Sequence, residues 1–118
     1  MSELATVLVE RRGELQVVWL AGEVDISNAG ALEEDISDAV PNDAAALILD
    51  LSETAYLDSA GIRMLFELRQ RLAGRRQSLG VVVPADSVIR HSLVVTELGK
   101  AVQMHDSLDE AVDALRTG

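Results

Sequence analysis

Ser59 is the residue of this chain best suited to carry a chemical modification. An apolar run from Ala44 to Leu51 predicts a buried strand, and Asp58-Ser59 opens a segment with helical spacing. A hydroxyl in the first turn of a helix lies among backbone N–H groups that lack intrahelical partners, where the helix carries partial positive charge. A phosphate on Ser59 would be stabilised there, so a protein kinase could change the surface charge without unfolding the domain.

Catalytic and metal chemistry have little support in the sequence. A serine hydrolase needs a nucleophile, a base and an orienting acid, but Ser59 lacks the Gly-x-Ser-x-Gly turn. The two histidines, His91 and His105, fall in a predicted helix and a loop, without a carboxylate pair at ligand spacing. Asp50 and Asp58 resemble the acidic pair of phosphoryl-transfer receivers, but the lysine and upstream acidic pair of those proteins have no counterpart. We therefore expect no catalytic residue, no metal and no cofactor.

Composition restricts the classes of partner. The 118 residues suffice for one domain, predicted to span residues 1–118. Because 48% of the residues are hydrophobic and only 3% are aromatic, the core must be aliphatic. The net charge of −10 disfavours nucleic acid and anionic membrane surfaces as partners. The chain has no cysteine, no recognisable signal peptide and no apolar run of about 20 residues that could span a membrane. We expect a cytoplasmic protein without membrane insertion; the oligomeric state stays open.

The hydrophobic pattern predicts an α/β fold. The predicted strands are 5–11, 14–21, 44–51, 78–83 and 102–104, and the predicted helices are 28–40, 59–74, 86–98 and 108–115. Ser27 or Asn28 can cap the first helix, and Ser107 with Glu110 matches a capping box. After an opening hairpin, strands alternate with helices. This order predicts a mixed, partly parallel sheet of about five strands packed by about four helices.

The predicted helix after Ser59 also has apolar residues outside its core stripe. Ile62 and Phe66 lie four residues apart on one shoulder and Met64 lies on the other. We expect this shoulder, with Ser59, to bind a partner, although such residues are more often core or rim. Gly22-Glu23-Val24-Asp25 ends the second predicted strand, and Asp25 is expected near Asp58, because loop-bearing strand ends cluster on one side of such sheets.

Several of these features also have simpler structural explanations. Ser59 and Asp58 are residue types that favour helix starts, and Asp25 can simply end a strand. Gly61 is expected to permit close packing of the helix on the sheet. The acidic run Glu33-Glu34-Asp35 is expected to be a solvated helix face.

Three groups of residues resemble a known family when their order and spacing are taken together. They are Gly22-Glu23-Val24-Asp25, then Leu57-Asp58-Ser59-Ala60-Gly61-Ile62, then Glu97-Leu98-Gly99 with Asp106-Ser107-Leu108-Asp109-Glu110-Ala111. They resemble the STAS domain (sulfate transporter and anti-sigma factor antagonist) in its small stand-alone form, over nearly the whole chain. The resemblance implies an α/β STAS fold.

The resemblance also implies a function and a set of partners. In the anti-sigma factor antagonists of this family, the Ser of Asp-Ser-x-Gly is phosphorylated by an anti-sigma factor that is also a serine protein kinase; here that residue is Ser59. The unphosphorylated antagonist binds the anti-sigma factor and frees the sigma factor, and a PP2C-like phosphatase restores this state. Ala60 replaces a second serine that the signature often carries. The implied partner-binding residues are Asp25, Asp58, Ser59, Ala60, Gly61, Ile62, Met64 and Phe66.

Two other functions within the same family stay open. The chain could be a stand-alone STAS subunit of an ABC-type lipid or solvent-tolerance transporter. The same helix face would then contact the ATPase subunit, and Ser59 would be structural. A component of a multi-protein stress-signalling complex is a third possibility.

Overall fold

The sheet begins as a hairpin and continues through parallel pairings. The computed structural model describes residues 4–116. Its strands are β1 (Ala5–Arg12), β2 (Leu15–Val24), β3 (Ala46–Asp50), β4 (Thr54–Leu57), β5 (Ser78–Val82) and β6 (Gln103–His105). β1 and β2 pair antiparallel, whereas β2–β3, β2–β4, β3–β5 and β5–β6 pair in parallel. The strand order is β1-β2-β3-β5-β6, with β4 beside the end of β2, so the predicted mixed sheet is confirmed.

Helices cover both faces of this sheet. They are α1 (Ala29–Asp38), α2 (Ser59–Gly74), α3 (Arg90–Val94), α4 (Leu98–Ala101) and α5 (Leu108–Arg116). The larger core cluster joins the first four helices to one face, and the smaller cluster joins α5 to the other. As the composition predicts, both clusters are built mainly of Leu, Val, Ile and Ala. Leu65, Leu68 and Leu72 of α2 have the predicted helical spacing, and all three are fully buried in the larger core.

Two elements differ from the sequence-based expectation. β4 was not predicted, and it raises the strand number from five to six. The helix expected over residues 86–98 is instead two short helices, and Leu98 opens the second of them. Thr96 explains the interruption, because its hydroxyl donates to the Leu93 carbonyl at 2.7 Å and accepts from the Leu98 N–H at 3.3 Å.

The predicted helix caps are confirmed only in part. Asn28 occupies the N-cap position of α1, but its side chain makes no capping hydrogen bond, so the expected capping role is wrong. Before α5, the Glu110 N–H donates to Ser107 Oγ at 3.2 Å, as the capping box predicts. The Glu110 carboxylate accepts from the backbone N–H of Asp106 rather than from that of Ser107.

Candidate functional site

Parallel pairing of β2 with β4 brings Asp25 and Asp58 to the same edge of the sheet. Val24 and Leu57 are register partners, and each aspartate is the next residue along its strand. The backbone N–H of Asp58 donates to the carbonyl oxygen of Val24 at 3.2 Å. The closeness expected of these two residues therefore follows directly from the strand register.

Asp58 is the N-cap of α2. One of its carboxylate oxygens accepts from the N–H groups of Ala60 at 2.8 Å and of Gly61 at 3.1 Å. Ser59 follows as the first residue of the helix, and its side chain is exposed. The hydroxyl is therefore open to another protein, although two of the helix's N-terminal donors are already used.

Gly61 lets the start of α2 approach the sheet closely. A Cβ at this position would lie 2.9 Å from Leu57 Cδ2 and 3.3 Å from both Cγ1 and the carbonyl oxygen of Val24. The packing role predicted for this glycine is confirmed. It fixes the height of Ser59 above the ends of β2 and β4.

Hydrogen bonds within the loop after β2 favour the ionised form of Asp25. Its carboxylate accepts from the Oγ of Ser27 at 2.5 Å and from the N–H of Ser27 at 2.8 Å. These bonds, the hydroxyl first, lower the pKa of Asp25 below its ordinary value. Asn28 Oδ1 accepts from the Asp25 N–H at 2.9 Å, which explains why this side chain is not available to cap α1.

A groove of about 500 Å³ runs between α1 and α2 and begins at Ser59. Its lining residues are Ile26, Ala29, Gly30 and Glu33 on one side and Ser59, Ala60, Arg63, Met64 and Glu67 on the other. Ile26 is 85% exposed at its rim. The groove joins the candidate phosphorylation site to the contact between the two helices.

Carboxylates and arginines are paired along this groove. Arg63 Nε lies 3.4 Å from Glu67 Oε1, and Arg71 Nε lies 2.9 Å from Glu33 Oε2. Burial, together with the neighbouring Glu67, raises the pKa of Glu33. Glu33 was expected on a solvated face, but its side chain is only 10% exposed because α1 packs against α2. That expectation is wrong for Glu33.

The apolar residues of the predicted shoulder do not share one environment. Ile62 and Phe66 are half-buried and pack against the edge of the larger core, so part of each side chain is accessible. Met64 was expected on the opposite shoulder, but it is 2% exposed and belongs to the core. Met64 lies four residues before Leu68, so it borders the leucine stripe and points toward α1 rather than toward solvent.

The charged pairs in the groove were not recognised from the sequence. Ser59, Arg63 and Glu67 are spaced by four residues, which places them on one face of a helix, so their alignment could have been read directly. The burial of Glu33 also had a local signal, because Glu33 lies four residues after Ala29 and three before Ile36. Within residues 4–116 no group of three or more His, Asp or Glu side chains is arranged to hold a metal ion. Over the same residues, no helix is both long and apolar enough for a membrane span.

Comparisons with known proteins agree with this architecture. The STAS domain family model matches residues 6–111. The anti-sigma-F factor antagonist RsfB of Mycobacterium tuberculosis is 32% identical over 113 residues, covering 96% of this chain and 91% of RsfB. A crystal structure of an anti-sigma factor antagonist from Mycobacterium paratuberculosis has a TM-score of 0.83 and 33% identity, covering 95% of this chain and 94% of that one.

A more distant structure shares the fold. Bacillus SpoIIAA in its phosphorylated form has a TM-score of 0.67 at 21% identity, covering 94% of this chain and 100% of that one. The family model spans most of the chain, and the identity to RsfB extends over nearly all of it. The chain therefore belongs to the STAS domain family.

Proposed function

We propose that this STAS domain is an anti-sigma factor antagonist that binds a kinase-type anti-sigma factor while Ser59 is unphosphorylated. The observation that carries the proposal is the position of Ser59, exposed at the first residue of α2 and at the head of a groove. Two relatives above 30% identity are named as anti-sigma factor antagonists, and the same fold is found in SpoIIAA in its phosphorylated form. Binding of the anti-sigma factor would release its sigma factor.

In this proposal the chain is a substrate and supplies no catalytic group. The kinase brings ATP, whose γ-phosphorus forms a bond to Ser59 Oγ as its bond to the β-phosphate oxygen breaks. ADP leaves and the hydroxyl proton is released. A PP2C-like phosphatase later directs water to the phosphorus, which regenerates the serine hydroxyl and releases inorganic phosphate.

The surroundings of Ser59 explain why a phosphate would weaken the complex. It would add about −1.5 to −2 charges beside the carboxylates of Asp58 and Asp25. The Asp58 carboxylate already accepts hydrogen bonds from the N–H groups of Ala60 and Gly61. The start of α2 therefore offsets less of the phosphate charge than the sequence alone indicates. The surface of the anti-sigma factor that packs against a neutral hydroxyl would offer the phosphate no cation, and burying the charge there costs several kcal/mol. A loss of about 3 kcal/mol corresponds to roughly a hundredfold in affinity.

The partner-binding face is proposed to surround Ser59. Asp25 and Asp58 would flank the serine, while Ala60, Ile62 and Phe66 would supply apolar contact area. The other two residues of the predicted site act from beneath this face. Gly61 is buried and sets the helix position, and Met64 lies in the wall of the groove.

Pull-down experiments with three baits test the proposal. Wild-type protein, Ser59→Ala and Ser59→Asp are incubated with lysate of the source cells, and the captured proteins are identified by mass spectrometry. We expect Ser59→Ala to capture an ATP-binding anti-sigma factor of the kinase type, and Ser59→Asp to lose it. Capture of a transporter ATPase by all three baits would contradict the proposal and support the transporter-subunit alternative.

A further inference from the structure

Three side chains continue the line from Ser59 along α2. Ser59, Arg63 and Glu67 are each four residues apart, and all three line the groove between α1 and α2. Residues at this spacing are neighbours on a helix surface, about 5–6 Å apart between Cβ atoms. Among the described residues that line the groove, Arg63 is the sole cationic one.

We propose that Arg63 leaves Glu67 and holds the phosphate when Ser59 is phosphorylated. This inference rests on the proposed phosphorylation of Ser59. It adds that one arginine of the chain itself recognises the modified state.

The phosphate is stabilised by such a cation because two of the N–H donors at the helix start are already occupied. The N–H groups of Ala60 and Gly61 already donate to Asp58 at 2.8 and 3.1 Å. A phosphate on Ser59 would have to displace the Asp58 carboxylate or find another positive group. Displacing Asp58 would remove the cap of α2, so recruiting a nearby side chain disturbs the fold less.

Arg63 is free to move, whereas its neighbours on α2 are held. Its side chain is 80% exposed and forms one ion pair, with Glu67 at 3.4 Å. Exposed pairs of this kind contribute little to stability. Arg69 instead donates to the Ala101 carbonyl at 2.7 Å, and Arg71 bridges Glu33 and Glu34. A phosphate dianion offers the guanidinium a stronger, bidentate partner than the Glu67 carboxylate does.

This exchange would extend the effect of phosphorylation along the groove. Glu67 would lose the ion pair with Arg63 and remain next to Glu33, which stays paired with Arg71. The groove wall would become more negative one and two helical turns away from Ser59. A partner lying along the groove would therefore meet a changed surface beyond the phosphate itself.

Phosphorus NMR of a protein with genetically encoded phosphoserine at position 59 tests this inference without any kinase or partner. A nearby arginine lowers the second pKa of a phosphate because it favours the dianion. Arg63→Gln is expected to raise that pKa by about half a unit or more. Arg76→Gln is the matched control, since Arg76 is exposed beyond the opposite end of α2. This substitution should leave the second pKa of the phosphate unchanged.

Combining Glu67→Gln with Arg63→Gln tests the exchange itself. After a complete exchange, Glu67→Gln should lower the phosphate pKa equally with and without Arg63. A larger fall in the presence of Arg63 would show that Arg63 stays paired with Glu67 and would overturn the inference. Identical phosphate pKa values in wild-type, Arg63→Gln and Arg76→Gln proteins would overturn the inference. Failure of the proposed function would look different: the phosphate pKa would still respond to Arg63→Gln, but phosphorylation would leave anti-sigma factor binding unchanged.

Discussion

The N–H of Asp58 donates to the carbonyl oxygen of Val24 at 3.2 Å, and this hydrogen bond joins the end of β2 to the cap of α2. Ser59 is the next residue, so its position is fixed by the sheet rather than by a free loop. The groups around Ser59 are therefore arranged before any partner arrives. Such preorganisation lowers the conformational entropy lost on binding.

Gly61→Ala tests how tightly this junction is packed. The new methyl group would lie 2.9 Å from Leu57 Cδ2, whose side chain is buried, and 3.3 Å from the Val24 carbonyl oxygen. Overpacking costs about 1–3 kcal/mol, and the better helix propensity of alanine returns up to about 1 kcal/mol. We expect a net loss of about 1 kcal/mol in the free energy of unfolding, measured in urea.

Gly74→Ala is the control for that experiment. Gly74 is the last residue of the same helix, and nothing lies within 4 Å of a Cβ built there. This variant should keep or slightly raise the stability. Equal effects of the two substitutions would show that Gly61 has no special packing role.

Asp58→Ala removes the cap of α2. The N–H groups of Ala60 and Gly61 would lose their shared acceptor. Loss of such a cap costs about 1 kcal/mol, whereas asparagine caps nearly as well as aspartate. Urea unfolding should show a loss of about 1 kcal/mol for Asp58→Ala and a smaller one for Asp58→Asn. The cap assignment would be wrong if the alanine variant were as stable as the wild type.

The features that were predicted correctly from the sequence are those with a local signal. The leucines of α2 repeat with helical spacing, and β3 is a continuous apolar run, so both elements were recognised. The start of α2 at Ser59 follows from the capping preference of Asp58. For the same reason, the exposed serine of the candidate site was found.

The features that were missed depend on contacts between distant segments. β4 has four residues, and it forms beside β2 where the Gly22 N–H donates to the Glu53 carbonyl at 3.0 Å. Gly22 has a φ of 109°, at a bulge that lets β2 change partners from β3 to β4. Glu33 and Met64 are buried because α1 and α2 pack together. These two residues did have a local signal, since Met64 lies four residues before Leu68 and Glu33 lies three residues before Ile36, positions that share a helix face.

The buried Glu33 makes stability depend on pH. Its neighbours are Glu67 and Arg71 from α2 and Glu34 from α1. Burial raises its pKa in the folded protein above the ordinary value of 4.5, so the folded state binds this proton more tightly than the unfolded chain. The resulting stabilisation is complete below about pH 4.5 and is lost as the pH rises through the folded-state pKa.

Comparison of wild-type protein with Glu33→Gln isolates this effect. The free energy of unfolding of the wild type, minus that of Glu33→Gln, should fall as the pH rises from about 4.5 toward 7. Glu34→Gln, at a side chain of α1 that is 66% exposed, is the control for removing a carboxylate from this helix. A difference for Glu33→Gln that stays constant or rises with pH would contradict the raised pKa.

Ile62→Asp tests the proposed partner-binding face. A carboxylate on this half-buried shoulder should weaken binding of the anti-sigma factor at least tenfold, because it would be desolvated in the complex. Leu8→Asp should bind normally, because this side chain is 70% exposed on the face of the sheet that carries α5, opposite α2. Calorimetry gives the affinities, and circular dichroism checks that each variant is folded. Unchanged affinity of a folded Ile62→Asp protein would remove Ile62 from the face.

In the proposed function, one phosphate on Ser59 controls binding of the anti-sigma factor. The most direct test measures the dissociation constant of the purified anti-sigma factor for the protein before and after phosphorylation, with Ser59→Ala treated identically. We predict that phosphorylation weakens binding of the wild type by roughly a hundredfold and that Ser59→Ala keeps its affinity throughout. Equal dissociation constants for the phosphorylated and unphosphorylated wild-type protein would contradict the account.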